Sequence, residues 1–550
     1  MSTKDEPLRA QAGGLQRSVG FFGLMMVSLG SIIGSGWLLG ALNAAERAGP
    51  ASVLSWILAA GMLSLLALVY AELGATYPVA GGAARFPYYS HGAVAGFTAG
   101  WASWLQAVFI APLEVLAAIT YVNSVGWVNQ HFNMIYKVGE KAGLLNSTGL
   151  FVALVLMVLF TAMNLAGAKF VSDSNVIVVI WKTAVPVLAV GVVAALQFNP
   201  SNFHAGGGFM PFGFHGVFAA LTGGVVFGLQ GFEQAVHLAG EARDPKRDLS
   251  RAILVAMAIG AVLYTLLQLV MIGALDPAHI AKGWSMPLGT DPSDYGVWYT
   301  LALALGAGWL AKALLVDAVI SPAGTGVVYM ATTARLSYAL GEEREMPRAL
   351  ATTRKGVPVV SILTAAVVGS AAFGPFKSWN ALVSVVTAAT AIMYSFAPLS
   401  LAALHKVDGG RPRSYRVPMP KLALPAAFCS ANLIMYWGGF ETNWKLALSI
   451  IAGLALFAIG AWRMRTGASR AIGNAIWMAP WLGGHVLLGW LGRYGGGRNI
   501  LPNWVDVGVV IAFALAIFYW ATSLRLSKEN SAAAVAKDAR QIDYEVAPQA

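Results

Sequence analysis

SLGSIIGSGWLLG, Ser28 to Gly40, is the stretch on which the fold turns. It lies inside an apolar segment, roughly 19–43, that is long enough to cross a bilayer. Yet it carries glycine at positions 30, 34, 36 and 40, and glycine weakens a helix by about 1 kcal/mol relative to alanine. Two readings compete. Gly30-x-x-x-Gly34 and Gly36-x-x-x-Gly40 are spacings that bring membrane helices close together. Alternatively, the helix is interrupted here to expose backbone groups inside the protein.

The composition sets the class. The chain has 550 residues, 57% hydrophobic and 11% charged, with a mean hydropathy of +0.65. A soluble domain carries about 25% charge, so this is an all-α polytopic membrane protein. Fourteen candidate spans follow from apolar length: 19–43, 51–77, 94–123, 149–168, 174–196, 216–240, 251–275, 303–335, 358–375, 379–404, 419–440, 445–462, 473–492 and 505–523. The expected organisation is an N-terminal tail (1–18), a ten-span core (19–404), a linker (405–418), four further spans (419–525) and a disordered tail (526–550). The polar N-terminus gives no sign of a cleavable signal. One cysteine, Cys429, permits no internal disulfide.

The net charge of +11 is distributed by topology. Lys and Arg crowd the N-terminal tail (Lys4, Arg9, Arg17) and the loops after spans 6, 8, 10 and 12, for example Arg243, Lys246, Arg247 and Arg251, or Arg411, Arg413 and Arg416. The intervening loops are poorer in them. The positive-inside rule therefore places both termini in the cytoplasm and argues against nucleic acid as the basic partner.

A second interruption matches the first. Span 6 reads GVFAALTGGVVFGLQGFEQAVHLAGE, Gly216 to Glu241, with Gly223, Gly224, Gly228 and Gly231 near mid-depth. Glycine-broken segments at corresponding places in two halves point to an inverted-repeat transporter with a mid-membrane site. A five-span unit is odd, so its second copy inserts upside down. In lipid every backbone N–H and C=O needs a partner. Unwinding frees such groups where a substrate can meet them. A half-helix N-terminus suits a carboxylate, and freed carbonyls suit an ammonium, so paired breaks can hold both ends of an amino acid.

GSIIGSGW (Gly30–Trp37), ALVYAELGATYPVAGGAARFPYYSHG (to Gly92), FGLQGFE (Phe227–Glu233) and GEARDPKRDL (Gly240–Leu249) resemble the amino acid–polyamine–organocation superfamily through the first ten spans. With FMPFGFHGV, GWLAKALLVDAVISPAGTG and SWNALV, the chain is most similar to bacterial aspartate–proton symporters. The resemblance implies a five-plus-five transport core. It implies that Gly34, Ser35 and Gly36 receive the substrate carboxylate on backbone amides. It gives Phe227 and Gln230 carbonyls for the amine, with Phe227 also capping the site, and keeps Gly231 and Glu233 in the motif. Lys182 matches a lysine standing where sodium-coupled relatives hold a sodium ion.

Ionisable residues inside a membrane are functional candidates by default. Lys182 in span 5 is a candidate proton carrier; the competing reading is a lysine reaching to the interface. Glu114 in span 3 and Asp317 in span 8 are candidate proton sites, or members of structural ion pairs such as Asp317 with Lys312. Glu233 and His237, four apart on span 6, are expected to share a face, either as a pH-sensitive pair or as a hydrogen-bonded pair that fixes the inner half-helix.

The function expected is a proton-coupled symporter importing an amino acid, aspartate by preference. A neutral or cationic amino acid or polyamine transporter, an amino-acid exchanger, and a sensor without net transport are the alternatives. No P-loop, metal-ligand cluster or catalytic motif is present, so neither ATP, a metal, another cofactor nor enzymatic chemistry is expected. The expected partners are an amino acid, protons and the bilayer; the oligomeric state is left open.

Overall fold

The computed structural model describes residues 19–79, 81–136, 143–166, 168–289, 296–342, 345–354, 357–463, 473–502 and 504–539. The expected N-terminal tail and residues 540–550 lie outside these. The described chain is helical, with only isolated bridges as β-pairing. Each of the fourteen expected segments contains a helix. Among the described residues, nine helices or continuous helical runs are long and apolar enough to cross a membrane, and Phe21–Ile32, Gly213–Leu229 and Val359–Ala371 are shorter apolar pieces.

Span 1 is broken. Phe21–Ile32 forms its first half and Gly36–Ala48 its second, with Ile33 at φ −87°, ψ 87° between them. Span 6 is distorted twice. A wide π-type turn at Leu221–Val225 places Gly224 at φ 132°. The helix then stops at Leu229, Gln230 is extended, and Gly231 turns at φ 112° before a short helix, Gln234–His237. A side chain at Gly231 would be strained by that φ and would also press on the Ser31 backbone at 2.9 Å. Helix 6 therefore resumes for only four residues beyond its break.

Pairing of the helices follows the five-span offset. The second half of span 1 packs on span 6, span 2 (Ser52–Thr76) on span 7 (Pro245–Ala274), and span 3 (Ala93–Asn123) on span 8 (Gly308–Glu342). Spans 3 and 10 (Trp379–Val407) are almost wholly buried and form the centre of the bundle. Of the four additional spans, Pro420–Trp437 and Val505–Ser523 lie against span 10, and Phe440–Arg463 lies against span 3.

The linker and the tail are both tied down. The linker is fixed to span 2 by Glu72, which forms an ion pair with Arg413 (Nε to Oε1 3.1 Å), meets His405 Nε2 at 2.5 Å and accepts from the Val417 amide at 2.7 Å. The tail, expected to be disordered from Leu526, instead forms a helix over Lys528–Ala536 that packs on the connector helix Gly82–His91. Ser527 caps it, and Ala534 and Val535 are buried in the contact, which supplies the apolar anchor that composition alone obscures.

Candidate functional site

The two breaks face one another at the centre of the bundle. Interrupting span 1 frees carbonyls at the end of its first half and amides at the start of its second. The structure supplies partners for several of them. Tyr264 Oη of span 7 donates to the Ile32 carbonyl at 2.9 Å. Thr325 Oγ1 of span 8 lies 3.5 Å from the carbonyls of both Gly30 and Ile33. The Ser35 amide donates to Glu114 Oε2 at 2.9 Å. A carboxylate from span 3 thus occupies one of the amides that the sequence reading reserves for the substrate.

Lys182 joins this cluster. It is buried, and its Nζ donates to Thr325 Oγ1 at 2.7 Å, which removes the reading of a lysine reaching to the interface. Asp317 is buried too, but its partners are Trp37 Nε1 (3.2 Å) and Ser321 Oγ (2.9 Å). The expected alternative of an ion pair with Lys312 does not form; that lysine is exposed.

A cavity between the breaks is lined by Gly34, Glu114, Phe227, Gln230, Thr325 and Tyr329, among others. About 10 Å³ of it is open to the centre of a water molecule, room for about one water. Trp379, the first residue of span 10, stands behind the cavity wall, against Ser35 and Phe227. Its Nε1 donates to Ser35 Oγ at 3.1 Å, and its ring meets Phe227 edge-on at 5.9 Å. Nothing in SWNALV distinguished Trp379 from an interfacial tryptophan, so the sequence reading passed it over. Thr325 and Tyr264 were missed for a similar reason: single polar groups on apolar helices declare no direction.

The glycines divide by role. A Cβ at Gly34 would meet Glu114 Oε1 at 2.7 Å and Thr325 Oγ1 at 3.1 Å, inside the site. One at Gly36 would meet the Gly228 Cα at 2.7 Å, where spans 1 and 6 touch. Gly36 therefore serves close packing as well as, by expectation, the amide site.

The expected Glu233–His237 pair is absent. The helix restarts only at Gln234, so Glu233 turns back over the break. Its Oε2 accepts from the Gly231 amide (3.0 Å) and Tyr394 Oη (2.7 Å), and Gln234 Nε2 lies 3.4 Å from Oε1. His237 Nδ1 is sealed from solvent without a partner. Glu233 closes the turn, with Phe232 and Tyr394 stacked beside it at 5.2 Å. Among the described residues no group of three or more His, Cys, Asp or Glu side chains could hold a metal ion.

The amino acid permease family profile matches residues 19–457. The chain is 32% identical over 541 residues to the glutamate/serine transporter AimA of Bacillus subtilis, covering 97% of each chain. It is also 32% identical over 525 residues to an aspartate-proton symporter of the same organism, covering 94% of this chain and 98% of the relative. A branched-chain amino acid permease, BcaP of B. subtilis, is 26% identical over 463 residues, 80% of this chain and 92% of the relative.

Proposed function

Because the chain belongs to the amino acid permease family, and is therefore a transporter and not an enzyme, we propose that it imports amino acids with protons, aspartate foremost, by alternating access. On this reading it works in the cell membrane, with the linker and both termini in the cytoplasm. The observation that carries it is the Ser35 amide held by the Glu114 carboxylate beside Lys182 and Thr325. An amide that takes one carboxylate can take another. When Glu114 gains a proton its hold on the Ser35 N–H weakens, and the α-carboxylate of the substrate takes its place. The ammonium goes to the freed carbonyls of the span 6 break near Phe227 and Gln230. Lys182 stands in place of a coupling sodium and joins the protonation of the cluster, through Thr325, to the first half of span 1.

The two relatives at 32% identity, a glutamate/serine transporter and an aspartate-proton symporter, support a substrate range of short acidic and hydroxyl amino acids. The test is uptake of radiolabelled aspartate into proteoliposomes. The expected result is accumulation when the outside is acidic, and only equilibration without a pH gradient. Lys182→Ala should retain counterflow exchange and lose accumulation. Gradient-independent uptake restricted to exchange would make the protein an exchanger. Failure of excess aspartate or glutamate to compete, with strong competition by a neutral or cationic amino acid, would remove aspartate.

A further inference from the structure

Gln230 is the least satisfied polar side chain in the site. It is 2% exposed, and its Oε1 and Nε2 are both sealed from solvent without a hydrogen-bond partner. Its backbone is in order: its N–H donates to Val226 O at 3.1 Å, with Phe227 O at 3.3 Å. The extended conformation at φ −78°, ψ 161° takes the residue off the helix end and onto the wall of the cavity. Glu114 Oε1, lining the same cavity, is likewise buried without a partner, whereas its Oε2 is held by Ser35. Buried polar atoms are nearly always paired. Three unpaired ones around a single cavity point to a polar guest.

We infer that the side-chain amide of Gln230 reads the side chain of the transported amino acid, and selects short polar side chains, a carboxylate or a hydroxyl, over aliphatic ones. This rests on the reading of the protein as an amino acid transporter with its site at the two breaks. An amide offers both a donor and an acceptor. Nε2 can donate to a carboxylate oxygen, and a hydroxyl can receive from Nε2 or donate to Oε1. An aliphatic side chain would leave both amide atoms stranded, the situation in which a site discriminates most strongly. The amide is neutral, so it does not demand an anion, as a guanidinium would. The same residue therefore accepts aspartate and serine, and the two compete for one site. Gly34 leaves the space between the Ser35 amide and Gln230 free of a side chain, and Phe227 bounds the cavity and keeps the guest short.

Two substitutions test this with opposite signatures, read as KM in proteoliposomes near pH 7.5. In Gln230→Glu the new carboxylate can accept from a hydroxyl but repels an anion. The KM for aspartate should rise about tenfold or more, while that for serine stays within about threefold. In Gln230→Leu both should weaken by about tenfold or more, and leucine or valine should become an effective competitor. If both variants shift aspartate and serine in the same proportion, or leave them unchanged, the inference is overturned while the transport reading stands. If the wild-type protein takes up neither aspartate nor serine and is inhibited only by aliphatic amino acids, both fall. Gln230→Glu is close to isosteric, so it carries the test if the leucine variant does not fold.

Discussion

At the scale of single residues, Gly34 and Gly36 separate the two readings with which the opening stretch began. They are two positions apart, and each has a different neighbour where a Cβ would go. At Gly34 the neighbours are the carboxylate of Glu114 and the hydroxyl of Thr325. Gly34→Ala should cut uptake by about tenfold or more and barely change the thermal midpoint, since side-chain tips can shift. At Gly36 the neighbour is the backbone of Gly228, which cannot shift alone. Gly36→Ala should lower both uptake and thermal midpoint by spreading spans 1 and 6, an overpacking cost of about 1–3 kcal/mol. Uptake normalised to inserted protein, together with melting in detergent, distinguishes them; equal melting of the two variants would contradict the division. Asp317 gives a further expectation. It accepts from Trp37 and Ser321, and Asn keeps one acceptor in nearly the same shape. Asp317→Asn should retain uptake at low external pH and flatten its rise as pH falls, because the wild-type acid disfavours an anionic substrate until it is neutralised. An unchanged pH profile of aspartate uptake would free Asp317 from that role.

At the scale of elements, the two breaks were legible because glycine in a membrane helix is costly and therefore informative. Their internal detail was not. Gly223, Gly224, Gly228 and Gly231 look alike in sequence, yet Gly224 and Gly231 adopt positive φ whereas Gly228 is pressed between Trp56 and Tyr264. The Glu233–His237 expectation failed on the same point. A four-residue spacing pairs side chains only on a continuous helix, and the helix restarts at Gln234. Residues arriving from other spans, such as Trp379, Thr325 and Tyr394, carry no mark in their own segments, because which face of a helix meets the site is set by packing. The linker shows what the charge pattern hid. Its arginines report topology, but Arg413 is 3% exposed and pairs with the fully buried Glu72. Removing one member of a buried pair strands the other, at about 3–5 kcal/mol. Arg413→Leu should therefore lower the thermal midpoint clearly. The double variant with Glu72→Gln should recover part of that loss, and a double-mutant cycle by thermal melting measures it. Strictly additive losses would show that the contact contributes little.

At the scale of the whole molecule, the ends of the described chain converge on the same side of the bundle. Val19 exchanges backbone hydrogen bonds with Glu241 and Arg243 beyond span 6. The residues flanking the tail helix clasp Gly82–His91: Tyr89 Oη donates to Asp538 Oδ2 at 2.6 Å, Arg85 Nε lies 3.6 Å from the same oxygen, Lys537 reaches Tyr88 Oη, and the Leu526 amide donates to Ser90 O at 2.8 Å. That connector helix in turn abuts span 6, where a Cβ at Gly82 would meet Val236 at 2.8 Å. Val236 belongs to the four-residue helix just past the Gly231 turn. The tail therefore braces, through one intermediate helix, the short helix that follows the span 6 break. Removing residues 527–550 should leave insertion and substrate binding intact, because no described tail residue lines the cavity. It should loosen Gly82–His91, so that trypsin cuts at Arg85 faster than in the full chain. Asp538→Asn should move cleavage in the same direction by a smaller amount, since hydrogen bonds to a charged group contribute about 1.5–3 kcal/mol and the amide keeps part of them. Added aspartate should slow cleavage in the full chain if binding orders the span 6 break, and the truncated protein should show a larger proportional effect, having more freedom to lose. Equal cleavage rates at Arg85 in the full and truncated proteins would mean that the connector is held by span 6 alone and that the tail rests on it passively.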